Sequence, residues 1–146
     1  MMKLDKALDD LVLDHIAVAV SDLDASVHFY QSLGLKFCPE REFVEEQKVL
    51  TAFSPLDKNA YLELLTPHGV KKEDSAVFQY IQKKGQGIHH ICFLVENLEL
   101  KSQELRSKGV QLIYPQGKKG AKNRLVNFIH PKSSGGVLIE LSQKIS

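Results

Sequence analysis

The chain has 146 residues, 43% of them hydrophobic and 25% charged, and a formal net charge of +1. This length and composition predict a soluble globular domain with its own core, and the charge gives no indication of a nucleic-acid or membrane partner. Its two cysteines are too few for a disulfide framework, which favours a cytoplasmic protein. No apolar run approaches the ~20 residues that span a bilayer. Residues 1–10 are expected to form a polar N-terminal extension, without the features of a secretory signal.

The first half of the chain predicts a strand, a helix and three further strands. Residues 12–20 alternate and are rich in β-branched side chains, as strands are. Asp22 and its neighbour Ser21 give a helix N-cap, and the helix is expected to end near Leu33, before Gly34. The further strands are predicted at residues 35–41, 48–54 and 60–66.

The second half repeats this plan after a helix predicted at residues 74–84. Residues 88–95 form the next predicted strand, and Asn97 caps a helix that Gly109 ends. The segment 115–122 is expected to be an exposed loop, and 131–136 to be a hairpin connection. The remaining strands are predicted at residues 110–114, 124–130 and 136–142.

The two halves also carry related sequences, offset by 75 residues. The segment LDHIAVAV, which contains His15, aligns with IHHICFLV, which contains His90. A glutamate follows each copy at a nearly matching distance: Glu63 lies in YLELL and Glu140 in VLIEL. A duplicated unit with one His and one Glu per copy can bring two of each together. Two imidazoles and two carboxylates form a divalent-metal site.

Strand periodicity places these four side chains where they can meet. Residues at i and i+2 share one face of a sheet, so His15 shares its face with the small residues Ala17 and Ala19. In all four strands the bulky apolar residues take the opposite face, which we expect to pack under the helices. Two carboxylates buried without a cation would cost several kcal/mol each, which favours a metal site over isolated structural residues. The neighbouring His89 is expected to point to the opposite face in a structural role.

These residues resemble the vicinal oxygen chelate superfamily and, within it, the methylmalonyl-CoA epimerase family. The resemblance runs from about residue 11 to 143 and is carried by GIHHI, by EDSAV at 73–77 and by the segment from HPK at 130–132 to GVLIEL. It implies a single α+β domain, 11–143, in which two paired βαβββ modules form a metal-binding half-barrel cavity. The modules span about 11–67 and 86–143, with the 74–84 helix between them. A homodimer is also implied.

The resemblance further implies a ligand set and an activity. The implied ligands of a divalent metal ion are His15, Glu63, His90 and Glu140. Co²⁺ is the favoured ion, with Mn²⁺, Ni²⁺ or Zn²⁺ as alternatives. The implied reaction is epimerisation of (R)- and (S)-methylmalonyl-CoA, an acyl-CoA, by proton removal and return at C2 through a metal-stabilised enolate. Glu140 is implied as a catalytic acid/base. A glyoxalase I-type lactoylglutathione lyase and a non-catalytic small-molecule binder stay open as alternatives.

The sequence departs from the family pattern at Thr51 and in the basic loop, where Arg124 lies one residue further from His130 than in some relatives. Thr51 follows EEQKVL where some epimerases carry a second glutamate, and a hydroxyl is too weak an acid or base to replace it. Either water or another residue serves the second face of the substrate, or the reaction is a different one. The basic loop contains Lys118, Lys119, Lys122 and Arg124. We interpret it as a solvated loop, and a clamp for a phosphate group of the substrate is the alternative.

Overall fold

One mixed eight-stranded sheet organises residues 11–145, which are the residues described by the structure, a computed structural model. The predicted N-terminal extension lies outside the described residues. The strands are β1 Val12–Ala19, β2 Glu42–Val44, β3 Val49–Pro55, β4 Tyr61–Pro67, β5 Gly87–Leu94, β6 Lys118–Gly120, β7 Arg124–Ile129 and β8 Ile139–Lys144. The helices are α1 Leu23–Ser32, α2 Ala76–Lys84, α3 Leu98–Ser107 and α4 Pro131–Ser134. Within the described part of the chain, none of the helices has the length and apolar character needed to span a membrane.

The strand order, β2-β3-β4-β1-β5-β8-β7-β6, is symmetric about the centre of the sheet. There β1 pairs with β5 in antiparallel fashion and joins the two halves of the chain. On either side, β4 lies parallel to β1 and β8 lies parallel to β5. Each half therefore has the βαβββ plan, with the short α4 added before β8. The predicted α+β class with paired modules is confirmed.

The helices α1 and α3 begin and end with the same signals at equivalent positions. The side chains of Asp22 and Asn97 each accept a hydrogen bond of 3.0 Å from the backbone N–H three residues later. Gly34 and Gly109 follow these helices with φ of +103° and +86°, a conformation that glycine adopts without steric cost. Both predicted helices are confirmed. Their ends could be predicted because a capping residue acts on the adjacent turn of its own helix.

The apolar core of the first module lies between α1 and the sheet. Leu62 and Leu64 of β4 pack there against Leu23 and Val27 of α1. On the opposite face of the sheet, Ala17 and other buried residues form a separate cluster beneath α2. The predicted division into a bulky face under the helix and a face with small residues beside His15 is therefore present in β1.

Two of the predicted strands do not form in the described residues. The segment 35–41 forms no strand of the sheet. Cys38 donates a backbone hydrogen bond of 2.9 Å to Phe53 of β3, but Pro39 lacks the backbone donor that would continue a ladder. The apolar side chains Leu35 and Phe37 of this segment instead pack against the α1 core. The segment 110–114 contributes only an isolated bridge between Leu112 and Ile129. Apolar alternation in these segments marks packing against the core and not strand pairing.

The edges of the sheet differ from the prediction in a way that closes the cavity. Part of the predicted 115–122 loop forms β6, and part of the predicted hairpin forms α4. Glu42 of the edge strand β2 accepts a hydrogen bond of 2.9 Å, at Oε1, from the backbone N–H of Lys122 just beyond β6. This contact joins the two ends of the sheet, which is curved into a barrel-like shape.

Replacing Leu64 by alanine tests the core beneath α1. Leu64 is 0% exposed, so Leu64→Ala is expected to lower the free energy of unfolding by about 2–5 kcal/mol through lost burial and a residual cavity. Urea denaturation measures the loss. Leu100 on α3, 62% exposed, gives the matched control, and Leu100→Ala is expected to change stability by less than ~0.5 kcal/mol. Equal losses in the two variants would contradict the assignment of this core.

Candidate metal centre

The four side chains singled out by the duplicated pattern line one cavity. His15 Nε2 lies 2.8 Å from Glu63 Oε2 and 3.2 Å from Glu140 Oε1. His90 Nε2 lies 3.0 Å from the same Glu140 oxygen and 3.2 Å from His15 Nε2. All four residues are buried, with exposures of 4–8%. The structure therefore brings together every residue predicted for this site.

The register of the central strands explains this convergence. Ala17 of β1 lies between His90 of β5 and Glu63 of β4 in the ladder. Cys92 of β5 lies next to Glu140 of β8. Since paired residues on neighbouring strands point to the same face of a sheet, both glutamates flank the two histidines from equivalent outer strands.

Two β-bulges, at Asp14 and His89, modify the alternation beside the histidines. The β1–β5 register skips both residues, which occupy equivalent positions in the two modules. The prediction that His89 points to the opposite sheet face from His90 is wrong, because its Nδ1 lies 2.8 Å from Nδ1 of His90. A bulge inserts an extra residue and interrupts the two-residue period on which that prediction depended. Burial, reinforced by the charge of His90, lowers the pKa of His89 to about 4 and keeps it neutral at pH 7.

Asp14 and Arg124 form a buried ion pair behind His15. One oxygen of Asp14 lies 2.8 Å from His15 Nδ1, and the other accepts a 3.2 Å hydrogen bond from Arg124. The guanidinium also donates to Ser142 Oγ and Tyr61 Oη. A carboxylate that accepts from the far nitrogen of a histidine fixes its ring orientation and tautomer. Asp14 is thus a site residue that the sequence analysis missed, although it precedes His15 in the LDHI motif.

The basic cluster expected in a solvated loop is divided by the fold. Lys118 and Lys119 are exposed, as predicted, whereas Arg124 is only 6% exposed. Arg124 is the first residue of β7, and its side chain lies in the site cavity and not at the surface. Because its side chain is buried, Arg124 does not present its guanidinium to a phosphate at the surface. The guanidinium instead forms an ion pair with the Asp14 carboxylate.

The electrostatics of the site favour the charged form of Glu140. Burial raises the pKa of Glu140, but hydrogen bonds from His15 and His90 outweigh it and leave this pKa well below its usual range. Burial lowers the pKa of His15, but Glu63, Asp14, Cys92 and Glu140 more than reverse this effect, so the net pKa is raised. Positive charge is therefore strongly stabilised between these groups.

This donor set fits a divalent metal ion. His15, His90 and Glu140 offer ligand atoms that all lie within 4.8 Å of one another, and Glu63 adds a carboxylate oxygen next to His15. Two imidazole nitrogens with carboxylate oxygens suit first-row divalent ions. The positive charge that the buried carboxylates require can come from such an ion in place of imidazole protons.

Thr51 is buried on the same sheet face as Glu63 but is engaged elsewhere. It is 0% exposed and its hydroxyl donates to the backbone oxygen of Glu42 over 3.1 Å. The hydroxyl therefore links β3 to the neighbouring edge strand β2. Thr51 is not among the residues that line the cavity of His15 and Glu63.

Comparison with known proteins places this fold and site in a family. The model of the glyoxalase/bleomycin resistance protein/dioxygenase superfamily matches residues 14–128. An uncharacterized protein of Bacillus subtilis, YqjC, is 42% identical over 90% of this chain and 91% of its own length. Human mitochondrial methylmalonyl-CoA epimerase is 37% identical over 90% of this chain and 73% of its own length.

A solved structure extends this similarity to three dimensions. The crystal structure of methylmalonyl-CoA epimerase from Mycobacterium tuberculosis superposes with a TM-score of 0.87 at 34% identity, covering 97% of this chain and 95% of that one. Glyoxalase I of Saccharomyces cerevisiae is more distant, at 28% identity over 75% of this chain and 40% of its own length. The chain belongs to the glyoxalase/bleomycin resistance protein/dioxygenase superfamily. Within that superfamily, it is a member of the methylmalonyl-CoA epimerase family.

Replacing Asp14 by asparagine tests the buried pair. Asp14→Asn leaves the Arg124 charge buried without its counter-ion, so we expect a loss of about 3 kcal/mol in the free energy of unfolding. Denaturation after removal of divalent ions by a chelator measures this loss. Asp24, whose side chain is 94% exposed and 4.0 Å from Arg41, gives the control, and Asp24→Asn is expected to cost less than ~0.5 kcal/mol. A similar small cost at Asp14 would show that the pair contributes little.

Proposed function

We propose that this protein is a metal-dependent epimerase of (R)- and (S)-methylmalonyl-CoA. The observation that carries this proposal is the convergence of His15, Glu63, His90 and Glu140 in one buried cavity, in a chain of the methylmalonyl-CoA epimerase family. The proposal includes a single domain at residues 11–143, an acyl-CoA substrate, a homodimeric assembly and a cytoplasmic location.

The same four residues would hold the divalent ion, with Co²⁺ favoured and Mn²⁺, Ni²⁺ or Zn²⁺ as alternatives. When bound, the ion would supply a Lewis acid for negative charge on the thioester oxygen and the substrate carboxylate. Asp14 and His89 support His15 and His90 from behind, since each lies 2.8 Å from the Nδ1 atom of its histidine. These contacts leave both Nε2 atoms directed into the cavity.

Glu140 is the proposed base for the first half of the reaction. Hydrogen bonds from His15 and His90 hold its pKa below the usual range, so its carboxylate is ionised before substrate binds. The C2–H bond breaks, the proton moves to a Glu140 oxygen, and the electron pair spreads into the thioester carbonyl to give an enolate. Inversion then requires a proton delivered to the other face of C2. Thr51 does not deliver it, and water or another residue lining the cavity takes that role.

Metal titration tests the proposed ligand set. Calorimetry with Co²⁺ is expected to give one site per chain in the wild type and no measurable site in His15→Ala, which loses a central donor. His89→Ala is expected to retain the stoichiometry but bind about 10- to 100-fold more weakly, because it removes only the contact behind His90. If His89→Ala lost the Co²⁺ site and His15→Ala retained it, the assignment of the histidine ligands would be wrong.

Isotope exchange tests the reaction. With Co²⁺ and methylmalonyl-CoA in D₂O, the wild type is expected to introduce deuterium at C2 with inversion. Glu140→Gln is expected to slow exchange by at least ~100-fold, because an amide cannot accept the proton. Glu104→Gln, on the exposed face of α3, is the control and is expected to keep wild-type activity.

The alternatives are distinguished in the same experiment. Turnover of the methylglyoxal–glutathione adduct without exchange at methylmalonyl-CoA would favour a lyase of the glyoxalase I type. Binding of methylmalonyl-CoA without exchange, in the presence of each of the four divalent ions, would favour a non-catalytic binder and overturn the proposed reaction.

A further inference from the structure

The ammonium group of Lys122 is held at the cavity that contains the four converging side chains. Lys122 lines this cavity together with His15, Glu63 and Glu140. Its Nζ lies 3.2 Å from the ring centroid of Tyr61 and 4.1 Å from that of Phe53. The residue is half-buried. The position of the charge is therefore set by two aromatic faces, which attract a cation but do not neutralise it.

The backbone at this point is held in an unusual conformation. Lys122 and Asn123 have φ of +57° and +54°, a left-handed region that non-glycine residues occupy at a cost in free energy. The N–H of Lys122 donates to Glu42 Oε1 over 2.9 Å. The backbone carbonyl of Asn123 accepts from the N–H of Ile145, and the Asn123 side-chain amide donates to the carbonyl of Ile145, both over 3.3 Å. Contacts on both sides thus maintain the strained turn that directs Lys122 at the two rings. Strain of this kind is found at sites of ligand binding.

The other charges of the cavity already have partners. Arg124 pairs with Asp14, and the Glu63 and Glu140 carboxylates contact the imidazole of His15. Among residues 11–145, Lys122 Nζ forms no ion pair with a carboxylate. An ammonium group at a cavity with no carboxylate partner is suited to bind an anionic group of a ligand.

We propose that Lys122 binds the free carboxylate of the substrate and thereby selects thioesters that carry one beside the reacting carbon. This inference rests on the proposed function and adds a specificity residue to it. The carboxylate is the anionic group that a 2-substituted malonyl thioester presents next to C2. The phosphates of coenzyme A are separated from C2 by the length of the pantetheine arm, so they do not reach the same cavity wall. A substrate without this carboxylate leaves the Lys122 charge unpaired.

Two unreactive thioesters isolate this contact. Dimethylmalonyl-CoA keeps the carboxylate but has no proton at C2, and pivaloyl-CoA replaces that carboxylate with a methyl group. Calorimetry with the Co²⁺-loaded wild type is expected to show tighter binding of dimethylmalonyl-CoA. In Lys122→Met, which keeps the unbranched stem over the two rings, dimethylmalonyl-CoA is expected to bind at least tenfold more weakly. Binding of pivaloyl-CoA is expected to stay within twofold of the wild type.

Lys119 supplies the matched control, since it is an exposed lysine on β6 outside this cavity. Lys119→Met is expected to leave the ratio of the two dissociation constants unchanged, because any effect on coenzyme A is common to both ligands. Thermal denaturation and Co²⁺ stoichiometry of each variant establish that the fold and metal site are retained. An equal loss for both thioesters in Lys122→Met, or a loss for neither, would overturn the assignment of Lys122.

The outcome for Lys122 is separable from that of the proposed function. Wild-type exchange of deuterium at C2, with the same ratio of the two dissociation constants in Lys122→Met as in the wild type, would overturn only the role of Lys122. A wild type that binds neither thioester and exchanges no deuterium would overturn the proposed function and the carboxylate contact together.

Discussion

The antiparallel pairing of β1 with β5 is the contact on which the site depends. Each module by itself carries one imidazole and one carboxylate of the set, too few to hold a divalent ion tightly. Pairing at the centre of the sheet brings the Nε2 atoms of His15 and His90 to 3.2 Å from each other. The parallel neighbours β4 and β8 then place one glutamate on each side. The cavity is thus a property of the paired modules, and loss of their central ladder would remove it.

Charge balance is the second constraint on this cavity. Buried carboxylates are costly unless positive charge or hydrogen bonds compensate them. Asp14 has Arg124 as its counter-ion, whereas Glu63 and Glu140 depend on the two imidazoles. A bound divalent ion would compensate the same carboxylates while leaving the imidazoles neutral. Binding of such an ion would therefore be linked to proton release from these imidazoles.

The two modules have diverged at the position just before each histidine. In the first module, Asp14 contacts His15 and is backed by a buried cation. In the second, His89 contacts His90 and its ring packs edge-on against Tyr80 at 4.9 Å. A carboxylate makes the histidine that it supports more basic than a neutral imidazole does. The two histidines therefore differ in basicity, although they occupy equivalent positions in the two modules.

The amino-acid sequence by itself determined the duplicated plan, the capped helices and the four residues that converge. These features depend on local signals and on the two-residue period of strands, which the 75-residue offset between His15 and His90 repeats. The segment 35–41 shows the limit of such signals, because alternation there leads to packing and not to a strand of the sheet.

Only the tertiary structure decided the groups behind and opposite the four residues. Arg124 lies 110 residues from Asp14 in the chain, and no local pattern connects them. The bulge at His89 changes the sheet face on which its side chain lies, and the alternation of apolar and polar residues in the sequence does not reveal it. The contact of Lys122 with Glu42, across 80 residues, depends on the curvature that brings opposite edges of the sheet together. Such contacts arise from the packing of distant segments, since strand pairing and curvature are set by the whole sheet and not by its individual strands.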